Sequence, residues 1–252
     1  MVEAAPQILL RGTEITRRWG GLVAVDCVSI ELARGQVHAV IGTNGAGKST
    51  LINILSGEVP PSSGQVELLG QDATAWTQPR RARAGLGRSY QRTTIYPTFT
   101  VLENCRLAAQ ARKQKPWLWW QNAQTCSSSL SMAREVAARA GLSDLLQRPA
   151  GRLSHGQKRQ LEIAMCLATQ PQVLLLDEPL AGMGAEETDR MLALLAELRE
   201  GHAILLVEHD MDAVFRIADR ITVMVNGAVI ASDTPEAVRA NADVQAAYLG
   251  GH

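Results

Sequence analysis

The sequence is poor in aromatic residues, carries no excess charge and has no long apolar run. Aromatic residues make up 4% of its 252 positions, and 25 Lys and Arg balance 25 Asp and Glu. A net charge of zero gives no basic field that would attract nucleic acid or anionic lipid. No window reaches the ~20 consecutive apolar residues that a membrane span needs. We therefore expect any membrane role to depend on a partner.

The four cysteines are scattered along the chain, at positions 27, 105, 126 and 166. No two of them form a CxxC pair and no histidine pattern accompanies them, which argues against a disulfide framework or a zinc site. Residues 1–14 contain neither a basic start nor a long apolar stretch, so no signal peptide is predicted. These absences predict a soluble chain that works in the cytoplasm.

The hydrophobic pattern predicts an α/β protein. Residues 8–41 alternate apolar and polar side chains and predict antiparallel strands, the last of them at 36–41. The apolar runs Val173–Leu176 and Ala203–Val207 predict strands that are covered on both faces, as in a parallel sheet. The other predicted elements are helices at 48–56, 186–200 and 235–249, a strand at 65–69, and a hairpin at Asn226-Gly227.

A helical region interrupts this core. Thr100 and Glu103 have the spacing of a capping box and predict a helix start. Residues 113–128 are rich in Trp, Gln and Ser and predict an irregular inserted connection, with a tryptophan cluster at 117–120 that packs on the helices or meets a membrane partner. The predicted fold is a single α/β domain with an N-terminal antiparallel β subdomain. Its core comprises residues 1–90 and 171–252, and an α-helical subdomain is inserted at about 91–170.

One loop carries a phosphate-binding pattern. The segment between a predicted strand and a predicted helix matches GxxxxGK[ST]. Its glycines let successive N–H groups face phosphates, and the following helix adds the positive end of its dipole. The predicted ligands of the nucleotide are Gly42, Thr43, Asn44, Gly45, Ala46, Gly47, Lys48, Ser49 and Thr50, with Lys48 on the β/γ-phosphates and Ser49 on Mg²⁺. This motif predicts a P-loop NTPase core and does not distinguish kinases, GTPases and motors.

Acidic residues end one buried strand and a histidine follows the next. Asp177 and Glu178 come directly after four apolar residues, at the end of a strand where ligands of α/β sheets bind. We expect Asp177 to bind Mg²⁺ and Glu178 to act as the general base on the attacking water. His209 follows the strand at 203–207, where it could hydrogen-bond a γ-phosphate.

A second anion-binding pattern lies about 20 residues before Asp177. Ser154 and Gln157 fit a capping box, and Ser154 with Gly156 at a helix start also suits a phosphate. One phosphate cannot easily be reached by both this helix and the P-loop of the same chain. The pattern therefore predicts that a second subunit faces the first.

Together these residues resemble the ATP-binding subunits of ABC transporters, in order and spacing and over essentially the whole chain. The resemblance implies ATP and Mg²⁺ as cofactors and a sandwich dimer, with each ATP between one P-loop and the partner's signature helix. It implies that Ser154, Gly156 and Gln157 contact the partner's nucleotide. It also implies that Gln91 senses Mg²⁺ and the γ-phosphate, as a metal-site and catalytic residue, and that Trp19 stacks on adenine. Lys48, Gln91, Glu178 and His209 form the implied catalytic set.

Two positions depart from the family pattern. His155 stands in the signature where the common form has Gly. Gly184 stands where the family often has an Asp that contacts the opposite subunit. Because Gly184 has no side chain for that contact, the coupling of the two ATP sites is in question, whereas Lys48 and Glu178 remain available for hydrolysis.

Several short stretches of the sequence resemble the ATPases of bacterial branched-chain amino-acid importers and of the related urea and short-chain-amide importers. The resemblance implies permease subunits, a second ATP-binding subunit that is a copy or a paralogue, and indirectly a solute-binding protein, with no nucleic-acid partner. It also implies a peripheral location on the cytoplasmic face of the inner membrane. The stretches that carry it are 17–26, 98–104, 154–163, 178–182 and 207–211, with the insertion at 113–128 and the ending at 247–250.

Other function classes remain open at this point. An exporter ATPase would share every catalytic residue, and only its permease would tell it apart. A soluble ABC ATPase without a permease usually carries two ATPase units, a coiled-coil insertion or a basic arm, none of which is evident here. A P-loop kinase of small molecules would lack the pattern at 153–157.

Overall fold

Two β-sheets and the helices around them make up the chain, of which this computed structural model describes residues 6–91, 94–113 and 127–249. The central sheet has six strands in the order β10-β9-β3-β8-β7-β6. Neighbouring strands in this sheet run parallel, except that β10 pairs antiparallel with β9. The strands are β3 (Gln36–Gly42), β6 (Leu86–Arg88), β7 (Val173–Asp177), β8 (Ala203–Val207), β9 (Arg220–Val225) and β10 (Ala228–Asp233).

Strand β3 corrects one expectation. We predicted antiparallel strands throughout residues 8–41, but β3 pairs in parallel with both β8 and β9. All of its residues after Gln36 are buried, as expected of a strand in the middle of a covered sheet. The predicted hairpin at Asn226-Gly227 is confirmed, because β9 and β10 pair on either side of it.

The second sheet is antiparallel and has four strands in the order β2-β1-β4-β5. Its apolar face packs with the helix that follows β3 and with one face of the central sheet, forming a core that includes Ile15, Leu55 and Leu175. The strands are β1 (Ile8–Trp19), β2 (Leu22–Ala33), β4 (Ser63–Leu68) and β5 (Gln71–Asp72).

Helices α3 (Val101–Lys113), α4 (Ser127–Arg139) and α5 (His155–Ala168) pack on one another and share a core with the other face of the central sheet. The predicted capping box is confirmed: the Glu103 N–H donates to Thr100 Oγ1 and the Thr100 N–H donates to Glu103 Oε2. The helices are α1 (Lys48–Ser56), α2 (Gln78–Ala84), α3 (Val101–Lys113), α4 (Ser127–Arg139), α5 (His155–Ala168), α6 (Ala185–Arg199) and α7 (Met211–Ile217).

The C-terminal segment forms two helices, α8 (Pro235–Ala240) and α9 (Ala242–Leu249). The prediction of one helix over 235–249 was wrong, because Asn241 adopts extended backbone and its side chain accepts hydrogen bonds from the Asp243 and Val244 N–H groups. Val238 and Val244 are buried and attach both helices to the sheet edge.

Most of the predicted insertion, residues 114–126 with the tryptophan cluster at 117–120, lies outside the described residues. Its last two residues, Ser127 and Ser128, belong to α4 and not to an irregular connection. Among the helices that the structure describes, none has the length and apolar character needed to cross a membrane.

Strand register sets the position of the functional residues. Asp177 at the end of β7 lies beside Val207 at the end of β8, and Val207 lies beside Val40 of β3. Because the three strands run in parallel, the segments that follow them emerge at one edge of the sheet.

Candidate nucleotide site

The loop between β3 and α1 can form only with glycine at particular positions. Gly47 has a φ of 97°, and a Cβ there would lie 2.3 Å from the Ala24 carbonyl oxygen. A Cβ on Gly42 would lie 2.2 Å from the Met224 carbonyl oxygen. The glycines therefore let the loop pack tightly against β2 and β9. α1 begins at Lys48 with no acidic residue in its first turn, so its N-terminus offers free N–H groups to an anion.

The loop lines an open cavity of about 580 Å³. Trp19, Gln91 and Glu178 line the same cavity, so the structure brings these predicted residues together with the loop. The lining residues are Trp19, Leu22, Val23, Ala24, Asn44, Gly45, Ala46, Gly47, Lys48, Ser49, Thr50, Gln91, Glu178 and Asn226.

Lys48 folds back over its own loop. Its Nζ donates to the carbonyl oxygens of Gly42, at 2.6 Å, and Thr43, at 3.0 Å. Burial lowers the pKa of Lys48, and the negative charges of Glu178 and Asp177 oppose that shift. Among the residues that the structure describes, the hydrogen-bond partners of the Lys48 ammonium are these two main-chain oxygens.

Asp177 and Glu178 have different surroundings although they are adjacent. Asp177 is buried, and burial raises its pKa while the nearby Arg88 charge opposes the shift. Glu178 has a φ of 48°, a left-handed conformation that is strained for a residue with a side chain. This turn directs Glu178 into the cavity while Asp177 remains behind it.

Two predicted residues approach the Glu178 carboxylate: Gln91, which follows β6, and His209, which follows β8. Gln91 Nε2 donates to Glu178 Oε2 at 3.0 Å. His209 Nδ1 lies 3.9 Å from Glu178 Oε1, and its side chain is 61% exposed. Gln91, Glu178 and His209 therefore form one cluster, of which Gln91 and Glu178 line the cavity and His209 does not.

Trp19 presents a flat surface at the other end of the cavity. It is 49% exposed, and the Arg17 guanidinium carbon lies 3.9 Å from the centroid of its ring. A ring that is covered by a cation on one face and open on the other suits stacking by a planar base.

The residues Ser154, Gly156 and Gln157 do not join this cavity. They lie at the start of α5 and line a separate space of about 160 Å³ together with Glu187 and Arg190. The predicted capping box is confirmed, because the Gln157 N–H donates to Ser154 Oγ and the Ser154 N–H donates to Gln157 Oε1.

A carboxylate occupies the approach to that helix start. Ser154 Oγ donates to Glu187 Oε1 at 3.0 Å. A Cβ on Gly156 would lie 2.6 Å from the Glu187 carboxyl carbon, so glycine makes room for this contact. Glu187 belongs to the first turn of α6. An anion is therefore already present where the helix dipole favours one.

The two family departures lie close together. His155 Nε2 is 2.9 Å from the Ala181 carbonyl oxygen, in the loop that follows Glu178. Gly184 precedes α6 as its N-terminal cap residue and makes no side-chain cap. A Cβ on Gly184 would meet nothing within 4 Å, so glycine there is not required by packing within the chain.

Glu208, whose carboxylate is fully buried beside the site, was not predicted from the sequence. It accepts hydrogen bonds from the N–H groups of Leu180, at 2.8 Å, and His209, at 3.2 Å. Burial raises its pKa, and these two bonds oppose the shift. A charged residue directly after the apolar strand at 203–207 was the available signal.

Comparison with known proteins agrees with this geometry. A model of the ABC transporter family matches residues 25–181, and a model described as branched-chain amino acid ATP-binding cassette transporter matches residues 228–252. The chain is 41% identical to the high-affinity branched-chain amino acid transport ATP-binding protein LivG of Escherichia coli, over 97% of this chain and 98% of LivG. It is 39% identical to BraF of Pseudomonas aeruginosa, over 96% of this chain and 98% of BraF.

A solved structure shows the same architecture. An ATP-binding cassette of an ABC transporter in its ADP conformation superposes with a TM-score of 0.87, at 30% identity and over 97% of this chain and 99% of that chain. Its match extends over both sheets and the helices between them, so the predicted fold class is confirmed.

Proposed function

The chain belongs to the ABC transporter family, in its branched-chain amino-acid group, and it is an ATP-binding and ATP-hydrolysing importer subunit; from this we propose how its own residues do that work. The single observation that carries the proposal is the cavity in which Lys48, Gln91 and Glu178 meet. A relative that is 41% identical over nearly its whole length supports branched-chain amino acids as the solute.

The nucleotide binds along the cavity from Trp19 to the loop. Adenine stacks on the open face of Trp19, while the Arg17 guanidinium supports the other face. The phosphates lie on the N–H groups of the loop at 43–47 and on the N-terminus of α1. Lys48 exchanges its main-chain partners Gly42 and Thr43 for the β/γ-phosphate oxygens.

The donor set beside the phosphates fits Mg²⁺. Ser49 supplies a hydroxyl, Asp177 a carboxylate and Gln91 an amide oxygen, and Mg²⁺ prefers oxygen ligands with one or two carboxylates. When bound, Mg²⁺ neutralises charge on the phosphates and orients them.

Glu178 is the general base of hydrolysis. Its strained backbone holds the carboxylate in the cavity, where it takes a proton from the attacking water. Gln91 orients that carboxylate by the 3.0 Å hydrogen bond. His209 lies within 3.9 Å of the same group, and a small movement allows it to donate to the γ-phosphate.

A second ATP-binding subunit completes each site. Ser154, Gly156 and Gln157 form an anion-binding helix start that does not line the cavity of the same chain but a separate space of about 160 Å³. In a head-to-tail pair, this helix start meets the γ-phosphate held by the partner's loop. Glu187 leaves Ser154 when that phosphate arrives.

The permease docks in an apolar groove between the core and the helical region. The groove has a volume of about 350 Å³, and its lining includes Tyr90, the residue directly before Gln91, so its occupant is close to the catalytic cluster. Docking there accounts for a location at the cytoplasmic face of the membrane. Its apolar and aromatic lining includes Pro79, Ala82, Leu86, Tyr90, Ala108 and Met165.

The test combines capture and uptake. Tagged Glu178→Gln, which retains ATP, is isolated from solubilised membranes with Mg-ATP, and co-purified proteins are identified by mass spectrometry. Two multi-span permease subunits are expected, and deletion of the chain from its source organism is expected to abolish uptake of labelled leucine. Capture of soluble proteins only contradicts the transport role. Unchanged leucine uptake together with loss of urea uptake contradicts the solute class.

A further inference from the structure

A buried ion pair on α5 does not contribute to either nucleotide contact described above. Arg159 and Glu162 face the core one turn apart, with side chains 6% and 4% exposed, and Arg159 Nη1 lies 2.8 Å from Glu162 Oε2. Their helix is otherwise buried through apolar residues such as Leu161 and Ile163. Because buried ion pairs seldom stabilise a fold more than apolar residues would, this pair requires another explanation.

Both members of the pair hold the main chain around Gln91. Arg159 donates to the Tyr90 carbonyl oxygen through Nη1, at 2.8 Å, and to the Gln91 carbonyl oxygen through Nη2, at 2.5 Å. Glu162 Oε1 accepts a hydrogen bond from the Thr94 N–H at 2.7 Å. The ion pair therefore fixes the segment on both sides of Gln91 by three hydrogen bonds.

The held segment carries the side chain that touches the general base. Gln91 Nε2 donates to Glu178 Oε2 at 3.0 Å. Ser154, which caps the same helix α5, is the residue proposed above to contact the partner's nucleotide. A single helix thus connects the contact with the partner's ATP to the residue that orients the base of this chain.

We propose that Arg159 and Glu162 are positioning residues of ATP hydrolysis, which fix the main chain of Gln91 to α5 so that Gln91 holds Glu178 in its working orientation. The inference rests on the proposed function of Gln91 and Glu178. The guanidinium is required because its planar fork serves two carbonyls and one carboxylate together, which the single ammonium of a lysine cannot match.

The experiment is a double-mutant cycle in the full chain. Arg159→Lys is made in the parent and in a Gln91→Ala background, and turnover is measured at saturating Mg-ATP for each mole of bound nucleotide. Misplacement of a catalytic group costs turnover, so Arg159→Lys is expected to slow the parent about tenfold. In the Gln91→Ala background the same change is expected to cost less than about twofold, because Arg159 acts through Gln91.

Binding separates this role from general destabilisation. The ATP dissociation constant without Mg²⁺ is expected to stay within about twofold of the parent value, because Arg159 is not among the described residues that line the nucleotide cavity. An equal loss of turnover in both backgrounds overturns the proposal, as does unchanged turnover in the parent background. A loss that appears only as weaker ATP binding also overturns it.

Two further variants complete the design. Arg81→Lys is the matched control, because Arg81 is fully buried and donates to the carbonyls of Ile54, Leu55 and Ala73, away from Gln91. It is expected to lower the melting temperature with the same effect on turnover in both backgrounds. If Arg159→Lys does not fold, Glu162→Gln enters the same cycle under the same criteria. Hydrolysis by the parent tests the proposed function, whereas the ratio of the two losses tests only the positioning role.

Discussion

Glu178 lies in a conformation that an ordinary loop residue would avoid. Glu178 has a φ of 48° and directly precedes Pro179. Both of its carboxylate oxygens face other predicted site residues. A proton acceptor in this position predicts that Glu178→Gln lowers turnover by a factor on the order of 10² or more while ATP remains bound. Phosphate release and nucleotide retention measure the two effects. Turnover near that of the parent would show that another group accepts the proton.

Trp19 gives a prediction about the base of the nucleotide. Removing the ring by Trp19→Ala removes the stacking surface, which is worth ~1–3 kcal/mol. ATP binding is therefore expected to weaken, while Trp19→Phe retains most of the affinity. Titration with ATP and with inorganic triphosphate distinguishes the causes, because triphosphate has no base to stack. An equal loss for both ligands would mean that Trp19 only supports the loop.

His38 predicts a pH dependence of stability that is independent of the site. Burial lowers the pKa of His38 to about 4, and the Arg220 charge acts in the same direction. The unfolded chain, with an ordinary histidine pKa of about 6.5, binds the proton first as the pH falls. Stability is therefore full above about pH 6.5 and is lost as the pH falls towards 4.

His38→Gln tests this directly, because glutamine can also donate to the Glu31 carbonyl and accept from the Thr222 hydroxyl, the two partners of His38. Between pH 7.5 and pH 5, the parent should lose about 2 kcal/mol more unfolding free energy than the variant. Urea unfolding at both pH values measures the difference. The raised pKa values of Glu162, Asp177 and Glu208 act in the opposite direction but equally in both proteins. If both proteins lose the same unfolding free energy between pH 7.5 and pH 5, His38 is excluded as the source of the pH dependence.

Sequence analysis identifies residues whose signals are local. Glycine spacing before Lys48 and two acids after an apolar run are visible within a few positions, and the structure brings Lys48 and Glu178 into one cavity. Glu208 and Arg159 were missed because their partners are far along the chain. Leu180 precedes Glu208 by 28 residues, and Thr94 precedes Glu162, the partner of Arg159, by 68. Only folding brings such groups together.

At the scale of elements, the contact between α5 and α6 predicts a barrier to the proposed binding of the partner's nucleotide. Glu187 of α6 accepts the Ser154 hydroxyl hydrogen bond at the start of α5. A carboxylate and a γ-phosphate cannot share that position without repulsion. We expect Glu187→Gln, in a Glu178→Gln background that prevents hydrolysis, to lower the ATP concentration for half-maximal dimer formation by about threefold or more.

The chain offers a matched control for this prediction. Glu186→Gln removes a charge from the same first turn of α6, but Glu186 is 86% exposed and pairs with Arg190. Its effect on dimer formation should be small. Sedimentation at increasing ATP concentrations measures both variants. Equal effects would mean that total charge, and not the contact with Ser154, controls the approach of the partner.

Elements were predictable where one segment determines its own structure. The helix at 48–56 and the strand at 203–207 were predicted to the residue, because a glycine-rich loop or an all-apolar run bounds them. The partners of β3 were predicted wrongly, because the true partner lies far along the chain: Gln36 of β3 pairs with Ala203 of β8. β6 was not predicted, because three residues are too few for a periodic pattern.

At the scale of the whole molecule, the proposed function assigns two halves of an ATP site to different places on the chain. The cavity with Lys48 and the space with Ser154 have no lining residue in common. If the proposed function is right, a working site needs the loop of one chain and the α5 start of another. Two variants, each defective in one half, should be inactive alone and should restore activity to each other when mixed.

Lys48→Ala removes the phosphate cation, and Ser154→Arg blocks the helix start with a large side chain. In a mixed pair, one site combines both defects and the other combines both intact halves. Random mixing makes half of the pairs mixed, so turnover should recover to about one quarter of the parent value if the sites act independently. Gly184, which offers no side chain across the pair, favours such independence. Full turnover by Ser154→Arg alone would contradict the shared site. Failure of the mixture to recover would show either that the two sites do not act independently or that the working pair is not two copies of this chain.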